Sequence, residues 1–213
     1  MSLTIRFLHG WAFDAKIWNG VIERLTQFDC QCPDRGYFGS ECTEDLREAD
    51  FIVGHSFGVM LALGDLPSRC KGMVAINGFD CFTAREGFPG VQARVVDRMA
   101  VRLEQDPARV VSDFRLACGS MEPYLRPDVD RLERDLAALR DKDMRMVTAG
   151  MTIPLLSLQG AHDRILPPAM RDAVFAGSDR VERRTHPHAG HLLPIDDPAY
   201  CARAIENFVR QAG

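Results

Sequence analysis

The sequence predicts an α/β chain in which a mostly parallel central sheet is flanked by helices and interrupted by one all-helical excursion. Three observations predict it. Short apolar runs at 51–53, 72–76 and 153–158, with strand candidates at 3–8 and 181–185, alternate with stretches of helical spacing. That alternation lapses between Asp80 and Gly150, where helical spacing alone persists. The pentad Gly54-His55-Ser56-Phe57-Gly58 joins one apolar run to the next, as an abrupt turn from a buried strand into a helix requires.

Taken in order, 3–8 is a short strand that ends at the turn His9-Gly10-Trp11. Asp14 is placed to cap the next helix, on which Trp18, Val21, Ile22, Leu25 and Phe28 share one face. Residues 28–33 supply a further strand, 34–40 a turn-rich loop, and 41–49 only a brief helix or loop. After the pentad, 59–66 is apolar nearly all round, as a helix buried beneath a site would be, and Pro67 ends it. Helices are expected at 91–105, 107–118 and 129–143, with Pro107 in a first helical turn. The alternation resumes with a strand at 153–158, a helix at 168–175, a strand at 181–185 and an amphipathic helix at 198–209. Strands on both sides of the excursion belong to one sheet, so residues 1–213 read as a single domain with a helical cap inserted at about 80–150.

Composition narrows the function classes. The chain has 213 residues, 46% of them hydrophobic and 26% charged, enough for a full core. Its net charge of -4 offers no basic footprint for nucleic acid or an anionic membrane. No apolar run is long enough to span a bilayer, and 1–7 lack the pattern of a secretory signal, which predicts a cytoplasmic protein. The seven cysteines have no framework spacing, as in a reduced compartment. Cys30 and Cys32 form the only close pair and have no second pair of ligands nearby, so no metal is expected.

In an open parallel sheet the reactive groups collect at the carboxyl ends of the strands. The residues there are His9-Gly10-Trp11, then Ser56, then Gly160 to Pro167 with Asp163, then His188-Ala189-Gly190-His191. A serine hydroxyl is a weak nucleophile at neutral pH and needs an imidazole to take its proton. His191 is the preferred base, because Gly190 precedes it and a turn follows, with His188 as the alternative. Asp163 would fix the imidazole tautomer, and the backbone N–H groups of Trp11 and Phe57 would face the oxyanion. His9 is expected to hold the loop that carries Trp11. His55 and His162 are expected to shape turns.

These motifs carry a resemblance. His-Gly-x at 9–11, GxSxG at 54–58, GxxDxxLP at 160–167 and Gly-His at 190–191, in that order, resemble the α/β-hydrolase superfamily along nearly the whole chain. Within it, Cys81-Phe82-Thr83-Ala84-Arg85 with Phe88-Pro89-Gly90-Val91, and the tail from Pro154 through Tyr200 and Cys201, are similar to the carboxylesterases of biotin synthesis that demethylate pimeloyl-acyl-carrier-protein methyl ester. The resemblance implies an α/β-hydrolase fold, a catalytic triad of Ser56, Asp163 and His191, and oxyanion donors at Trp11 and Phe57. This sequence departs from the pattern by lacking the usual N-terminal strands, by a compressed 34–50 segment and by a shorter cap near 119–128.

The expected activity is a serine carboxylesterase that forms an acyl-enzyme on Ser56. Phe79, Phe82, Phe88 and Phe114, with Trp11 and Phe57, are the candidates to line a cleft for an aliphatic acyl group. No cofactor is required. Arg102, Arg109, Arg115, Arg126, Arg131 and Arg134 supply cationic groups within the cap, so an acyl carrier protein is a candidate partner. A thioesterase, a carbon–carbon bond hydrolase and a non-catalytic ligand- or carrier-binding module remain open as alternatives on the same scaffold.

Overall fold

The computed structural model describes residues 2–39 and 49–213. All but the last residue of the 41–49 segment lies outside them, as does Cys42. Within them, six parallel strands form one sheet in the order β2-β1-β3-β4-β5-β6. The strands are β1 (Thr4–Leu8), β2 (Asp29–Gln31), β3 (Phe51–His55), β4 (Gly72–Ile76), β5 (Leu155–Gly160) and β6 (Val181–His186). The expected sheet was mostly parallel, and the described one is parallel throughout. β3 and β4 lie at its centre and are buried at every position. This accounts for their unbroken apolar runs, since a strand covered on both faces shows no polar alternation.

Successive side chains nonetheless divide between two cores. Ile5, Phe7, Phe51, Val53, Val74, Ile76, Leu156 and Leu158 point to one face, where α9 (Pro198–Ala212) buries Ile205, Phe208 and Val209. Leu8, Ile52, Met73, Ala75 and Leu155 point to the other, against α2 (Phe57–Gly64) and its Val59, Met60 and Leu63. Because α2 is surrounded by core, it is apolar nearly all round.

Several boundaries differ from those the sequence predicts, for identifiable reasons. The strand expected at 153–158 starts at Leu155, because Pro154 has no N–H to give the ladder; its carbonyl accepts from Met73 N at 3.0 Å instead. In place of one helix after Asp14, that residue caps a 3₁₀ turn (Ala15–Trp18), and α1 covers only Asn19–Ile22. Asn19 and Gly20 are weak helix formers. A Cβ at Gly20 would lie 3.1 Å from Pro198 Cβ, so the glycine lets α1 approach α9 closely. Trp18, Val21 and Leu25 still share the buried face.

Between β4 and β5 run α3 (Ala93–Gln105), α4 (Pro107–Cys118), α5 (Val129–Asp141) and a short α6 (Arg145–Ala149) that the sequence pattern did not suggest. Asp106 and Asp128 cap α4 and α5 by accepting from Arg109 N (3.0 Å) and Arg131 N (3.1 Å). Gly119, at φ 101, ends α4 in the left-handed conformation. After β5 come α7 (Pro168–Ala173) and, after β6, the single turn α8 (Leu193–Asp196). No helix among the described residues is long and apolar enough to cross a membrane.

Candidate active site

β3 ends at His55, and α2 begins at Phe57, leaving Ser56 alone to reverse the chain at φ 52, ψ -123. A non-glycine residue in that region is strained by about 1–3 kcal/mol and persists only where its surroundings hold it. Here Ser56 N donates to Ile76 O at 3.1 Å, and Val59 N donates to Ser56 O at 3.1 Å. The flanking glycines serve close approach rather than positive φ. A Cβ on Gly58 would stand 2.2 Å from Leu8 O, and one on Gly54 would stand 2.8 Å from Val59 N. The strain falls on the serine, and the glycines let α2 pack against the ends of β1 and β3.

Two loops at the same edge of the sheet meet Ser56. His191 Nε2 lies 3.1 Å from Ser56 Oγ, and His191 Nδ1 lies 2.8 Å from Asp163 Oδ2. All three side chains are nearly closed from solvent, at 5% exposed for Ser56, 7% for Asp163 and 2% for His191. With Nδ1–H donating to Asp163, Nε2 is left to accept the serine proton. Asp163 Oδ1 accepts from Ile165 N (2.7 Å) and Leu166 N (3.0 Å). Burial by itself raises the Asp163 pKa, but the adjoining His191 and these two N–H groups outweigh it and hold the carboxyl below its ordinary value.

The sequence reading missed Asn77. It follows β4 at φ 46, is fully buried, and donates through Nδ2 to Asp163 Oδ2 at 2.7 Å and to Gly190 O at 3.3 Å. The available signal was its place at the carboxyl end of a central strand. His188 is not brought to Ser56. It stands beside His186, whose Nδ1 accepts from Ala189 N (3.1 Å) and His188 N (3.3 Å) and so shapes the turn before His191. His162 contributes its backbone, donating to Ala189 O at 2.9 Å, while its side chain is exposed.

His55 supports His191 from below, its Nε2 donating to the His191 carbonyl at 2.9 Å. Burial, reinforced by repulsion from His191, pushes the His55 pKa down to about 3. The unfolded chain takes up this proton near pH 6.5 and the folded chain only near 3, so stability falls as pH drops through that window. The slope from this group approaches about 1.4 kcal/mol per pH unit. His55→Asn should therefore show a flatter loss of melting temperature between pH 7 and 5 than the parent. Identical profiles would show that His55 is not the titrating group.

His9 holds its loop as expected. Nδ1 donates to Gly10 O at 3.0 Å, and Nε2 accepts from Arg35 N at 3.0 Å. The backbone of Trp11 follows directly, and its indole Nε1 donates to Leu132 O on α5 at 2.9 Å. Arg35 also clasps Asp135 of α5 through two bonds of 2.7 Å.

A cleft of about 710 Å³ opens between α3, α4 and the loop after β5. Phe82 and Phe114 line it, together with Val96, Val110 and Ile165, but Ser56 and His191 are not among its lining residues. It adjoins their hydrogen-bonded chain through Ile165, whose N–H donates to Asp163, and through Phe114, whose ring stands edge-on to Trp11 at 4.9 Å. The other aromatic candidates do not line this cleft. Phe79 is fully buried and packs on Phe82 at 4.9 Å, Phe88 lies under the Arg145 guanidinium at 5.4 Å, and Trp11 and Phe57 are enclosed in core. Sequence alone did not separate lining from core, because an aromatic ring satisfies either environment. Among the described residues, no group of three or more His, Cys, Asp or Glu is placed to hold a metal ion.

A strained serine elbow, an imidazole and a buried carboxylate at the carboxyl edge of a parallel sheet define a recognisable class of protein. The sequence pattern of the alpha/beta hydrolase family matches residues 7–204, and the chain belongs to that family. Among its curated relatives, the pimeloyl-[acyl-carrier protein] methyl ester esterase of Yersinia pseudotuberculosis serotype O:1b is 26% identical over 237 residues, covering 96% of this chain and 92% of that one. The protein of the same name from Pectobacterium atrosepticum is 28% identical over 193 residues, covering 75% of this chain and 76% of that one. The fold matches that of an esterase from Exiguobacterium antarcticum with a TM-score of 0.84 at 16% identity, across 98% of this chain and 92% of the other.

Proposed function

We propose that the protein is a serine carboxylesterase that hydrolyses esters of aliphatic acyl groups. The observation that carries this reading is the continuous chain from Ser56 Oγ through His191 to Asp163, mounted on the strained elbow. In the proposed reaction Ser56 Oγ attacks the ester carbonyl carbon while His191 Nε2 takes the hydroxyl proton. The tetrahedral oxyanion is met by the backbone N–H groups of Phe57 and Trp11. Its collapse breaks the bond to the alcohol, which leaves with the proton from His191. Water, deprotonated by the same nitrogen, then releases the carboxylic acid and restores Ser56. Asp163 keeps Nδ1 protonated throughout and stabilises the imidazolium.

We further propose residues 1–213 as one catalytic domain, with about 80–150 as its cap and the cleft beneath the cap as the acyl site. Phe82 and Phe114 supply its apolar wall; Arg102, Arg109 and Arg164 line it as well. Arg102, Arg164 and the names of the relatives favour an acyl ester carried on an acidic carrier protein, such as pimeloyl-acyl-carrier-protein methyl ester, although Asp106 and Asp113 line the same cleft. Three cap arginines are better assigned elsewhere. Arg115 is buried, Arg109 is paired with Asp113 at 3.0 Å, and Arg131 is bound to Asp128 and to Arg35 O.

The test measures methanol release from a methyl pimelate carried on acyl carrier protein beside hydrolysis of free p-nitrophenyl butyrate. Both should turn over. Between 50 and 500 mM salt (chosen to span roughly 14 to 4 Å of screening length), kcat/KM for the carrier-linked ester should fall steeply and that for the free ester should barely change. Equal salt dependence would remove carrier docking, and no turnover of either ester would remove the esterase reading.

A further inference from the structure

We propose that Arg115 is a positioning residue for the oxyanion hole: from the cap helix α4 it grips the carbonyl of Ala12 and thereby fixes the backbone that presents the Trp11 N–H. This rests on the esterase reading above, in which Trp11 N–H is an oxyanion donor.

Arg115 is an anomaly as a cap arginine. It is only 5% exposed and shares the buried face of α4 with Val111 and Cys118, where an apolar residue would be expected. Its Nη1 donates to Ala12 O at 3.0 Å and its Nη2 to Glu122 O at 3.5 Å, so among the described residues its hydrogen bonds go to main-chain carbonyls rather than to a carboxylate. The guanidinium lies over the Phe13 ring at 4.7 Å, with Tyr124 at 5.4 Å and Phe38 at 5.6 Å. Nε is buried without a partner. A buried cation held in this way is a poor means of stabilising a fold, because an apolar side chain of similar size avoids the desolvation cost.

What the guanidinium touches gives it a use. Ala12 is fully buried at φ 57, a left-handed conformation that a residue with a Cβ resists. Such a residue keeps its conformation only when its neighbours over-determine it. Trp11, immediately before it, is fixed at the indole by Leu132 O of α5, and Phe13, immediately after it, is stacked beneath Arg115. The 11–13 segment is thus held by two cap helices, α5 through the Trp11 side chain and α4 through Arg115. A charged donor to the Ala12 carbonyl sets the peptide orientation between those two anchors. An oxyanion hole depends on donors fixed before the charge develops, so slack in this segment weakens the transition state more than substrate binding.

The experiment compares the parent, Arg115→Met and Arg115→Lys for p-nitrophenyl butyrate hydrolysis. Competent sites are counted by the end point of fluorophosphonate labelling, and inhibition is measured with an alkyl trifluoromethyl ketone, whose hemiketal on Ser56 places an oxyanion in the hole. Arg115→Met should lower kcat per competent site by roughly 10- to 100-fold, up to the effect of losing one oxyanion donor, with KM within about twofold. Ketone affinity should fall by the same factor as kcat, and Arg115→Lys should recover part of both. A lower melting temperature with unchanged kcat per site and unchanged ketone affinity would overturn the proposal, leaving Arg115 a structural residue. If Arg115→Met does not fold, Arg115→Lys decides: a reduced kcat with matching loss of ketone affinity supports it, and parental values overturn it. A parent active on the ester with an indifferent Arg115→Met removes this inference alone. A parent that neither turns over the ester nor binds the ketone removes the esterase reading and this inference with it.

Discussion

Ser56→Ala is expected to lower kcat on p-nitrophenyl butyrate by on the order of 10⁶-fold while leaving the fold intact. The chemical loss is large because alanine offers no atom for the acyl group, and His191 without a nucleophile has only water to activate. The structural loss is small. The Ser56 hydroxyl meets His191 Nε2 at 3.1 Å, whereas the backbone bonds that hold the elbow, Ser56 N to Ile76 O and Val59 N to Ser56 O, survive the change. Alanine also tolerates φ 52 no worse than serine does. A melting temperature within about four degrees of the parent together with lost turnover is therefore the expected pair of results, since removing one hydroxyl hydrogen bond typically shifts stability by about 1 kcal/mol. Retained turnover would mean that another group attacks the ester.

Asp163→Asn should lower kcat by about 10⁴-fold, through the wrong imidazole tautomer rather than through lost packing. Asp163 Oδ1 accepts from both Ile165 N and Leu166 N, so the asparagine must keep its carbonyl oxygen at that position. Its NH₂ then replaces Oδ2 and faces His191 Nδ1, where a donor is already present. The imidazole relieves the clash by moving its proton to Nε2, which can no longer accept the Ser56 proton. Asn77, which donated to the same Oδ2, keeps only Gly190 O as an acceptor. A kinetic loss restored in part as pH rises, when hydroxide aids deprotonation of Ser56, would match this account. An unchanged kcat would show that Asp163 does not govern the tautomer.

The residues around Ser56 differ in how readily a sequence discloses them. Ser56, Asp163 and His191 each lie in the loop that follows a strand, and the first two loops have local chemistry that can be read: glycines where a Cβ would strike Leu8 O or Val59 N, and an Asp that accepts from the backbone two and three residues on. Asn77 has no such surroundings. A lone Asn after an apolar run reads as an ordinary turn residue, and its partner Asp163 is remote in sequence. Arg115 was misread for a related reason, because helical periodicity shows which residues share a face but not that Ala12, Phe13 and Tyr124 cover it. The parallel sheet was legible from short apolar runs, since both faces of β3 and β4 are buried. The break of the first helix into a 3₁₀ turn and α1 was not, because the packing of Gly20 against Pro198 is a tertiary demand. The aromatic lining divided for the same reason, Phe82 and Phe114 reaching the cleft while Phe79 and Phe88 pack away from it.

The most direct test of Ser56 as the nucleophile is to react the parent with an alkyl fluorophosphonate and locate the adduct by intact-protein and peptide mass spectrometry. One phosphonyl group per chain on the peptide containing Ser56, with loss of ester hydrolysis in step with labelling and no adduct on Ser56→Ala, is the predicted result. Labelling at another residue, or hydrolysis that persists when Ser56 is fully modified, would contradict the account.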